Sequence, residues 1–121
     1  ILRVDMFAAF PTNSANEPGT FVGLSQSAVT DATAAGSGGA ITSDGTNFVL
    51  KSDAGSDVGA LLDTSFHKFR IEFGSGLTEW FIDNTSQGTI NTEADIWPLA
   101  FKMIGSTTNE IRLGWAHIWY G

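Results

Sequence analysis

The sequence predicts an all-β fold in which two antiparallel sheets pack face to face as a β-sandwich. Apolar and polar residues alternate with a period of two along several short segments, and Gly-rich or Pro-rich stretches separate these segments. No segment shows a sustained apolar period of 3.6 residues. Because 121 residues with 42% hydrophobic content can bury one core, we expect a single domain over residues 1–121.

The first half of the chain carries strand patterns that are separated by small or turn-forming residues. Two β-rich runs in residues 40–52 flank the Asp44-Gly45 pair, which predicts a hairpin. The other predicted elements are a strand in residues 1–10, a loop with two prolines in 11–19, a short strand in 20–27, and flexible loops in 28–39 and 53–59.

The stretch FHKFRIEFGSGLTEWFIDN, residues 66–84, predicts the central hairpin. Its first strand places Phe69, Ile71 and Phe73 on one face and Lys68, Arg70 and Glu72 on the other. Its second strand places Trp80 and Ile82 on one face and Glu79, Phe81 and Asp83 on the opposite face. Further strands are predicted in residues 86–91, in 96–105 as a mostly buried strand, and in 109–121 with large side chains on both faces.

The composition of the chain excludes several classes of function. The net charge is −7, from 13 acidic and 6 basic residues without a basic cluster, which argues against nucleic-acid binding. The absence of cysteine excludes disulfides, thiolate metal sites and cysteine nucleophiles. No apolar run approaches the roughly 20 residues of a membrane span, so we expect no membrane insertion. The chain opens without Met and directly on a strand pattern, from which we expect a processed product or a piece of a longer polypeptide.

Three segments together resemble the concanavalin A-like lectin and glucanase superfamily, which includes laminin-G-like modules. They are HKFRIE at residues 67–72, WFIDN at 80–84 and IRLGWAHIWYG at 111–121. Asn84 stands where the family has glycine, and Asn tolerates positive φ. Gly114 stands where the family has aspartate. The resemblance implies a jelly-roll sandwich that lacks an N-terminal strand or receives one from a neighbour.

Residues 21–27 and 39–52 resemble a looser version of this pattern in bacteriophage virion proteins. This resemblance implies a capsid decoration or fibre-type protein on a virion surface, or else an extracellular module. The partners would be protein subunits of an assembly, cell-surface glycans or both, and a homo-oligomer is left open.

Catalytic patterns are incomplete. A laminarinase-type hydrolase needs Glu-x-Asp-x-x-Glu, so that nucleophile and acid lie about 5 Å apart on one strand face. Residues 93–98, EADIWP, lack the second glutamate. His67 and His117 have no zinc spacing, and we expect His67 to be structural. We therefore predict no enzyme, although two carboxylates that converge from distant strands would escape a linear search.

Calcium is the one cofactor that the resemblance leaves open, because related lectins bind it through loop oxygens. No Asp-x-Asp-x-Asp-Gly run is present, and a solvated turn explains each loop aspartate, so we predict no metal site. These aspartates are Asp31, Asp44, Asp53, Asp57 and Asp63.

The aromatic residues carry the functional prediction. Proteins use exposed aromatic rings with polar neighbours to bind both sugars and protein partners. For any single tryptophan burial in the core is favoured, and Trp80 and Trp115 fall where the family buries rings. The predicted glycan or partner contacts are Phe81, Glu79, Asp83, Trp119 and His117.

Two functions follow from the sequence. The first is a non-catalytic module of a larger assembly that buries exposed rings and strand edges. The second is a secreted, lectin-like carbohydrate-binding module that uses the concave sheet and the loops 28–39 and 53–59.

Overall fold

The computed structural model describes residues 2–10, 21–25, 38–52, 55–92, 100–104 and 110–121. Within these residues all regular structure is β-strand, as the sequence predicts. The strands are β1 Leu2–Ala9, β2 Phe21–Ser25, β3 Gly38–Ser43, β4 Asn47–Ser52, β5 Gly55–Leu61, β6 His67–Phe73, β7 Leu77–Ile82, β8 Thr85–Asn91, β9 Ala100–Ile104 and β10 Arg112–Tyr120.

The ten strands form two antiparallel sheets of five strands each. The order in the first sheet is β10-β1-β6-β7-β8, so the first and last strands of the chain are neighbours. The order in the second sheet is β5-β4-β3-β2-β9. The predicted all-β class with two antiparallel sheets is confirmed.

The core lies between the sheets and receives alternate side chains from both. In β1, the even-numbered residues Leu2, Val4, Met6 and Ala8 are buried, as the period of two requires. From the second sheet, Val22, Leu24, Ile41, Phe48 and Leu50 join the same hydrophobic cluster. One continuous core therefore spans both layers.

The central hairpin has the facing that the sequence predicts. In β6, Phe69, Ile71 and Phe73 are buried, and in β7 Trp80 and Ile82 are buried. The turn into β8 places Asp83 at φ 49° and Asn84 at φ 68°, a pair of left-handed residues typical of a type I′ hairpin. Asn84 thus does occupy a position with positive φ.

One side of the sandwich is closed by side chains from β5, β7 and β8. The indole Nε1 of Trp80 donates a hydrogen bond to Asp57 Oδ2 at 2.6 Å, and the backbone N–H of Ala60 donates to Gln87 Oε1 at 2.8 Å. A Cβ on Gly59 would lie 2.5 Å from the Trp80 ring, so only glycine allows this approach. The prediction of a loop at 53–59 is wrong for residues 55–59, because pairing with β4 outweighs the small residues of β5.

On the opposite side of the sandwich, β9 and β10 each carry an exposed apolar side chain that points inwards. Met103 of β9 is the register partner of the buried Val22 and so points towards the core, yet it is exposed. Ile118 is the register partner of the buried Val4, and it too is exposed. The prediction of a mostly buried strand in 96–105 is therefore wrong at Met103, while residues 93–99 lie outside the described part of the chain.

Candidate functional site

The outer face of the first sheet carries the side chains that β1, β6, β7 and β10 turn away from the core. Strand register sets them in rows: Arg3 lies between Trp119 and Glu72, and Asp5 lies between His117 and Arg70. In the third row, Phe7 lies between Trp115 and Lys68. Alternation alone thus assembles an aromatic and charged surface on adjacent strands.

Three exposed rings form an aromatic column, which we define as Phe66, Phe7 and Trp115. The Phe66 and Phe7 rings stack with centroids 5.1 Å apart, and the Phe7 and Trp115 rings with centroids 6.2 Å apart. The Phe7 ring is thus stacked against both of the other rings, and each of the three residues is more than a third exposed. The column therefore offers a continuous aromatic surface, and aromatic side chains are enriched at protein interfaces.

Gly114 makes room for the column. The pairing of β1 with β10 shifts register between Phe7 and Ala8, which leaves Gly114 as the extra residue of a bulge. A Cβ at Gly114 would lie 2.9 Å from the Phe7 ring. The glycine that replaces the aspartate of the related pattern thus has a steric role in this chain.

Asp5 is the polar centre of the face and is almost fully buried. Arg70 Nε donates a hydrogen bond to Asp5 Oδ1 at 2.7 Å, Trp119 Nε1 donates to Oδ2 at 3.3 Å, and Arg3 Nε lies 3.6 Å from Oδ2. Burial raises the pKa of the Asp5 carboxyl, but the hydrogen bond and charge of Arg70, with Trp119 and Arg3, bring it below its ordinary value. Asp5 stays ionised and fixes two arginines and one indole.

Trp119 is held on the surface by its neighbours. The Arg3 guanidinium carbon lies 4.8 Å from the centroid of the Trp119 ring, and the His117 ring centroid lies 4.0 Å from it. Trp119 and His117 are both exposed, so two of the predicted contact residues share one patch of surface. Face-on stacking of a ligand against Trp119 competes with these two side chains.

The predicted contacts on β7 lie in another part of the sheet. Phe81 and Glu79 are partly exposed on the outer face, and Ser86 Oγ donates a hydrogen bond to Glu79 Oε2 at 2.6 Å. Because β6 and β1 separate β7 from β10, these two residues lie roughly 14 Å from Trp119 and His117. The structure therefore divides the predicted set into two groups.

Asp83, the remaining predicted contact, is engaged in the hairpin turn. Its Oδ1 accepts a hydrogen bond from the Lys68 backbone N–H at 2.9 Å, and its Oδ2 lies 2.6 Å from His67 Nδ1. The other ring nitrogen of His67 lies 2.7 Å from Asp63 Oδ1. His67 bridges two carboxylates, an arrangement that agrees with the structural role expected for it.

The bridged imidazole favours its protonated form. Burial lowers the pKa of His67, but the hydrogen bonds with Asp83 and Asp63 outweigh burial and raise it above its ordinary value. The pKa values of Asp63 and Asp83 lie below their ordinary values: burial raises them, and the hydrogen bond with His67 more than offsets it. In this form both ring nitrogens of His67 carry a proton, so each donates a hydrogen bond to a carboxylate and no nitrogen lone pair is directed at a carboxylate oxygen.

We expect stability to fall as this bridge loses its proton. Because the folded pKa of His67 exceeds the unfolded value of about 6.5, its contribution is complete below that pH and disappears as pH rises through the folded pKa. Urea unfolding between about pH 5.5 and 9 should show a falling midpoint, and His67→Gln should remove this slope. The control His117→Gln, at the exposed histidine, should keep the slope; equal slopes in wild type and His67→Gln would contradict the bridge.

Sequence reasoning missed several residues of the face. It placed Trp115 among the buried rings, but Trp115 is 46% exposed because its register partner Phe7 points outwards with Arg3 and Asp5. Phe7 and Phe66 were not singled out, although an apolar residue that shares the parity of Arg3 and Asp5 is a usable signal. The position of Arg3 beside Trp119 depends on the pairing of the first strand with the last, which no local pattern reveals.

A surface hollow of about 330 Å³ lies at one end of the face and is lined by Arg3, Glu72, Trp119, Tyr120 and Gly121. The Nε atom of Arg3 is buried there and has no hydrogen-bond partner among the described residues. A guanidinium, a carboxylate and two aromatic rings can together bind hydroxyl groups and an apolar face.

Metal ligation has little geometric support in the described ranges. There, no group of three or more His, Asp or Glu side chains is placed to hold an ion. Three of the loop aspartates have defined partners: Asp44 accepts from the N–H groups of Thr46 and Asn47, Asp57 accepts from Trp80, and Asp63 accepts from Ser65 and contacts His67. Asp31, Asp53 and residues 93–98 lie outside the described part of the chain.

One pair of carboxylates from adjacent strands meets on the outer face. Glu72 and Glu79 are register partners across β6 and β7. Glu79 accepts a hydrogen bond from Ser86, and Glu72 Oε1 lies 3.9 Å from Arg70 Nη1. Hydrolysis of a glycosidic bond needs one carboxyl that is kept protonated in an enclosed environment. This pair instead lies on an open face, engaged by neighbouring side chains.

Comparisons with known proteins give no relative from which a function could be transferred: no family model matches the chain, and no curated protein or solved structure matches it significantly. None of the residues that the structure describes belongs to a helix long and apolar enough to cross a membrane.

Proposed function

We propose that this chain is a non-catalytic structural or attachment module of a larger assembly, which it joins by burying β10 and the adjoining rings against a neighbouring protein subunit. The observation that carries the proposal is the state of β10. It is an edge strand of nine residues, and Trp115, Trp119, Ile118 and Tyr120 are 46%, 45%, 47% and 76% exposed. Large apolar side chains thus emerge on both faces of a strand that, among the described strands, pairs on one side only, with β1.

Physical chemistry makes such an edge a binding element. An edge strand presents a row of N–H and C=O groups that can pair with another chain, and soluble proteins usually blunt such edges with charge, proline or bulges. Residues 113–120 contain no Lys, Asp, Glu or Pro, and the bulge at Gly114 lies at one end of the strand. Exposed aromatic rings add the residue type that is enriched at the centres of protein interfaces.

The setting that we propose is the surface of a virion, as a capsid decoration or fibre-type component, or else the outside of a cell. The proposal of a jelly-roll, concanavalin A-like architecture accompanies it. Its support is the sequence resemblance together with an acidic chain of net charge −7.

Hydrogen exchange tests the proposal. We expect the β10 amides that point away from β1 to exchange rapidly in the isolated chain, diluted until it is monomeric, and at least tenfold more slowly in the native assembly isolated through a tag on this chain. The unpaired edge of β8 serves as the internal control and should exchange equally in both samples. Rapid exchange of the β10 edge in both samples would refute the proposed role of this strand.

The hollow at Arg3 and Trp119 favours a second candidate function, a lectin-like carbohydrate-binding module. Arg3 and Glu72 could bond the hydroxyls of a neutral sugar while Trp119 and Tyr120 provide apolar contact. A glycan array with and without calcium separates the candidates. Competable binding to one sugar class, lost in Trp119→Ala and kept in the distant control Phe81→Ala, would favour the lectin. Loss in Phe81→Ala instead would locate the sugar on β7.

A further inference from the structure

We infer that the partner of β10 is the β10 strand of a second copy of this chain, paired antiparallel about a twofold axis perpendicular to the sheet. This inference rests on the proposed function and gives its interface an occupant. The two first sheets would merge into one sheet of ten strands, with the outer faces of both copies on the same side.

The distribution of charge favours a second copy at this strand. Two molecules of net charge −7 repel each other, so they can associate only where acidic residues are scarce. The strands β1, β6 and β10 hold four of the six basic residues, Arg3, Lys68, Arg70 and Arg112, but only two of the thirteen acidic residues, Asp5 and Glu72. A second copy can therefore approach the β10 edge without bringing clusters of acidic residues together, although β2, β3 and β9 of the second sheet are also free of acidic residues.

The other three edges are less suited to pairing. Asp57 lies on β5, and charge on an edge disfavours the addition of a strand, while β9 has only five residues against the nine of β10. In β8 the pairing with β7 shifts register beside Gly88, which stands at φ 151°. The regular segment of β10 from Trp115 to Tyr120 carries His117 as its single titratable side chain on the outer face.

The exposed apolar area of β10 matches the interface of a weakly associating dimer. Aromatic side chains contribute 150–250 Å² each when fully buried, so the exposed parts of Trp115, Ile118, Trp119 and Tyr120 amount to roughly 400 Å² per copy. Two copies would bury roughly 800 Å² from these side chains alone, before backbone and flanking residues bring the total towards the roughly 1,000 Å² of a specific interface. The expected association is therefore reversible.

Strand geometry limits the pairing to two central registers. Directly opposed residues share a face of the sheet, so a twofold pair must oppose a residue to itself. Within residues 115–120, the registers that keep the most pairs place His117 opposite His117 or Ile118 opposite Ile118. Opposed Cα atoms in antiparallel strands lie about 4.5–5.5 Å apart, which is within the range that a disulfide bridges.

The absence of native cysteine makes this geometry directly testable. The full 121-residue chain is prepared as His117→Cys and as Ile118→Cys, with Thr89→Cys on the opposite edge of the first sheet as control. We expect one of the β10 variants to form a disulfide dimer under mild oxidation at least tenfold faster than Thr89→Cys. Equal rates for all three variants would overturn the inference.

Sedimentation of the unmodified chain gives the second readout. We expect a reversible monomer–dimer equilibrium that strengthens between about 0.05 and 0.5 M salt, because screening weakens repulsion between the two acidic copies. Ile118→Lys should raise the dissociation constant at least tenfold while cooperative unfolding is retained, since Ile118 is already half exposed. A chain that stays monomeric up to about 0.5 mM, or that forms open-ended polymers, would exclude the twofold pair.

The two proposals fail separately. If the chain is monomeric and no β10 cysteine cross-links, yet the β10 amides are protected in the native assembly, then the partner is a different protein and only this inference falls. If the β10 amides are unprotected in the native assembly, the proposed function itself falls.

Discussion

Trp80→Ala is expected to lower the free energy of unfolding by about 3–5 kcal/mol, the range found when a large buried ring is removed. Trp80 is fully buried and is among the largest fully buried side chains of the core cluster. Its removal leaves a cavity between the sheets and takes away the ring that requires glycine at position 59. It also deprives Asp57 of the indole N–H that donates a hydrogen bond to it. The side of the sandwich closed by β5 and β8 depends on this one residue.

The measurement is the urea or thermal unfolding midpoint, with a fall in Tm of roughly 10–20 °C for a domain of this size. Trp115→Ala is the matched control, because it removes the same side chain from an exposed position, and it should cost less than about 1 kcal/mol. Comparable losses in the two variants would mean that Trp115, not the core, carries the stability of this sheet.

Prediction of the fold succeeded where a local pattern is sufficient. The central hairpin has unbroken alternation on both sides of a Gly-Ser-Gly turn, so its strands and their faces follow from residues 66–84 alone. The small residues of β5 carry no such pattern. Their strand forms because β4 offers a pairing edge and because Trp80 needs a glycine opposite its ring, and both causes are tertiary.

Prediction of the site was limited by the connection between chain ends. Trp119 and His117 share parity on the last strand, and this part of the predicted set does share one surface. Their association with Arg3, Asp5 and Phe7 requires that β10 pair with β1, more than 100 residues away, which single-sequence patterns do not encode. Asp83 was predicted to share a strand face with Glu79 and Phe81, but it lies in the turn after β7, where its carboxylate accepts a hydrogen bond from the Lys68 backbone N–H and contacts His67.

The exposure of the inward side chains of β10 and the exposure of its outward side chains have one common cause. Among the described strands, β10 is the last of the first sheet, and its inward residues Ile118 and Tyr120 and its outward residues Trp115 and Trp119 are exposed together. A surface that served only a sugar would need rings on one face of the sheet. The proposed partner, which would extend the sheet itself, would contact both faces of this strand.

Asp5→Ala is expected to lower the free energy of unfolding by about 3 kcal/mol, because it removes one partner of a nearly buried ion pair and leaves Arg70 with only the longer contact to Glu72. Arg70 loses its hydrogen bond of 2.7 Å, and Trp119 loses the acceptor for its indole N–H. Since Trp119 belongs to the proposed interface, the variant should also weaken self-association at least tenfold. Chemical denaturation and sedimentation measure the two effects.

The exposed pair Glu110 and Arg112 provides the control for this prediction. Its atoms approach as closely, 2.9 Å, but both side chains are more than half exposed, so Glu110→Ala should change the free energy of unfolding by less than about 1 kcal/mol. A double-mutant cycle of Asp5→Ala with Arg70→Met isolates the interaction energy of the buried pair. If Arg70→Met costs little stability once Asp5→Ala is present, then the loss in the single variant comes from the unpaired charge that it leaves. If Asp5→Ala and Glu110→Ala were equally mild, the pair of Asp5 and Arg70 would contribute no more than an exposed ion pair, and this prediction would be refuted.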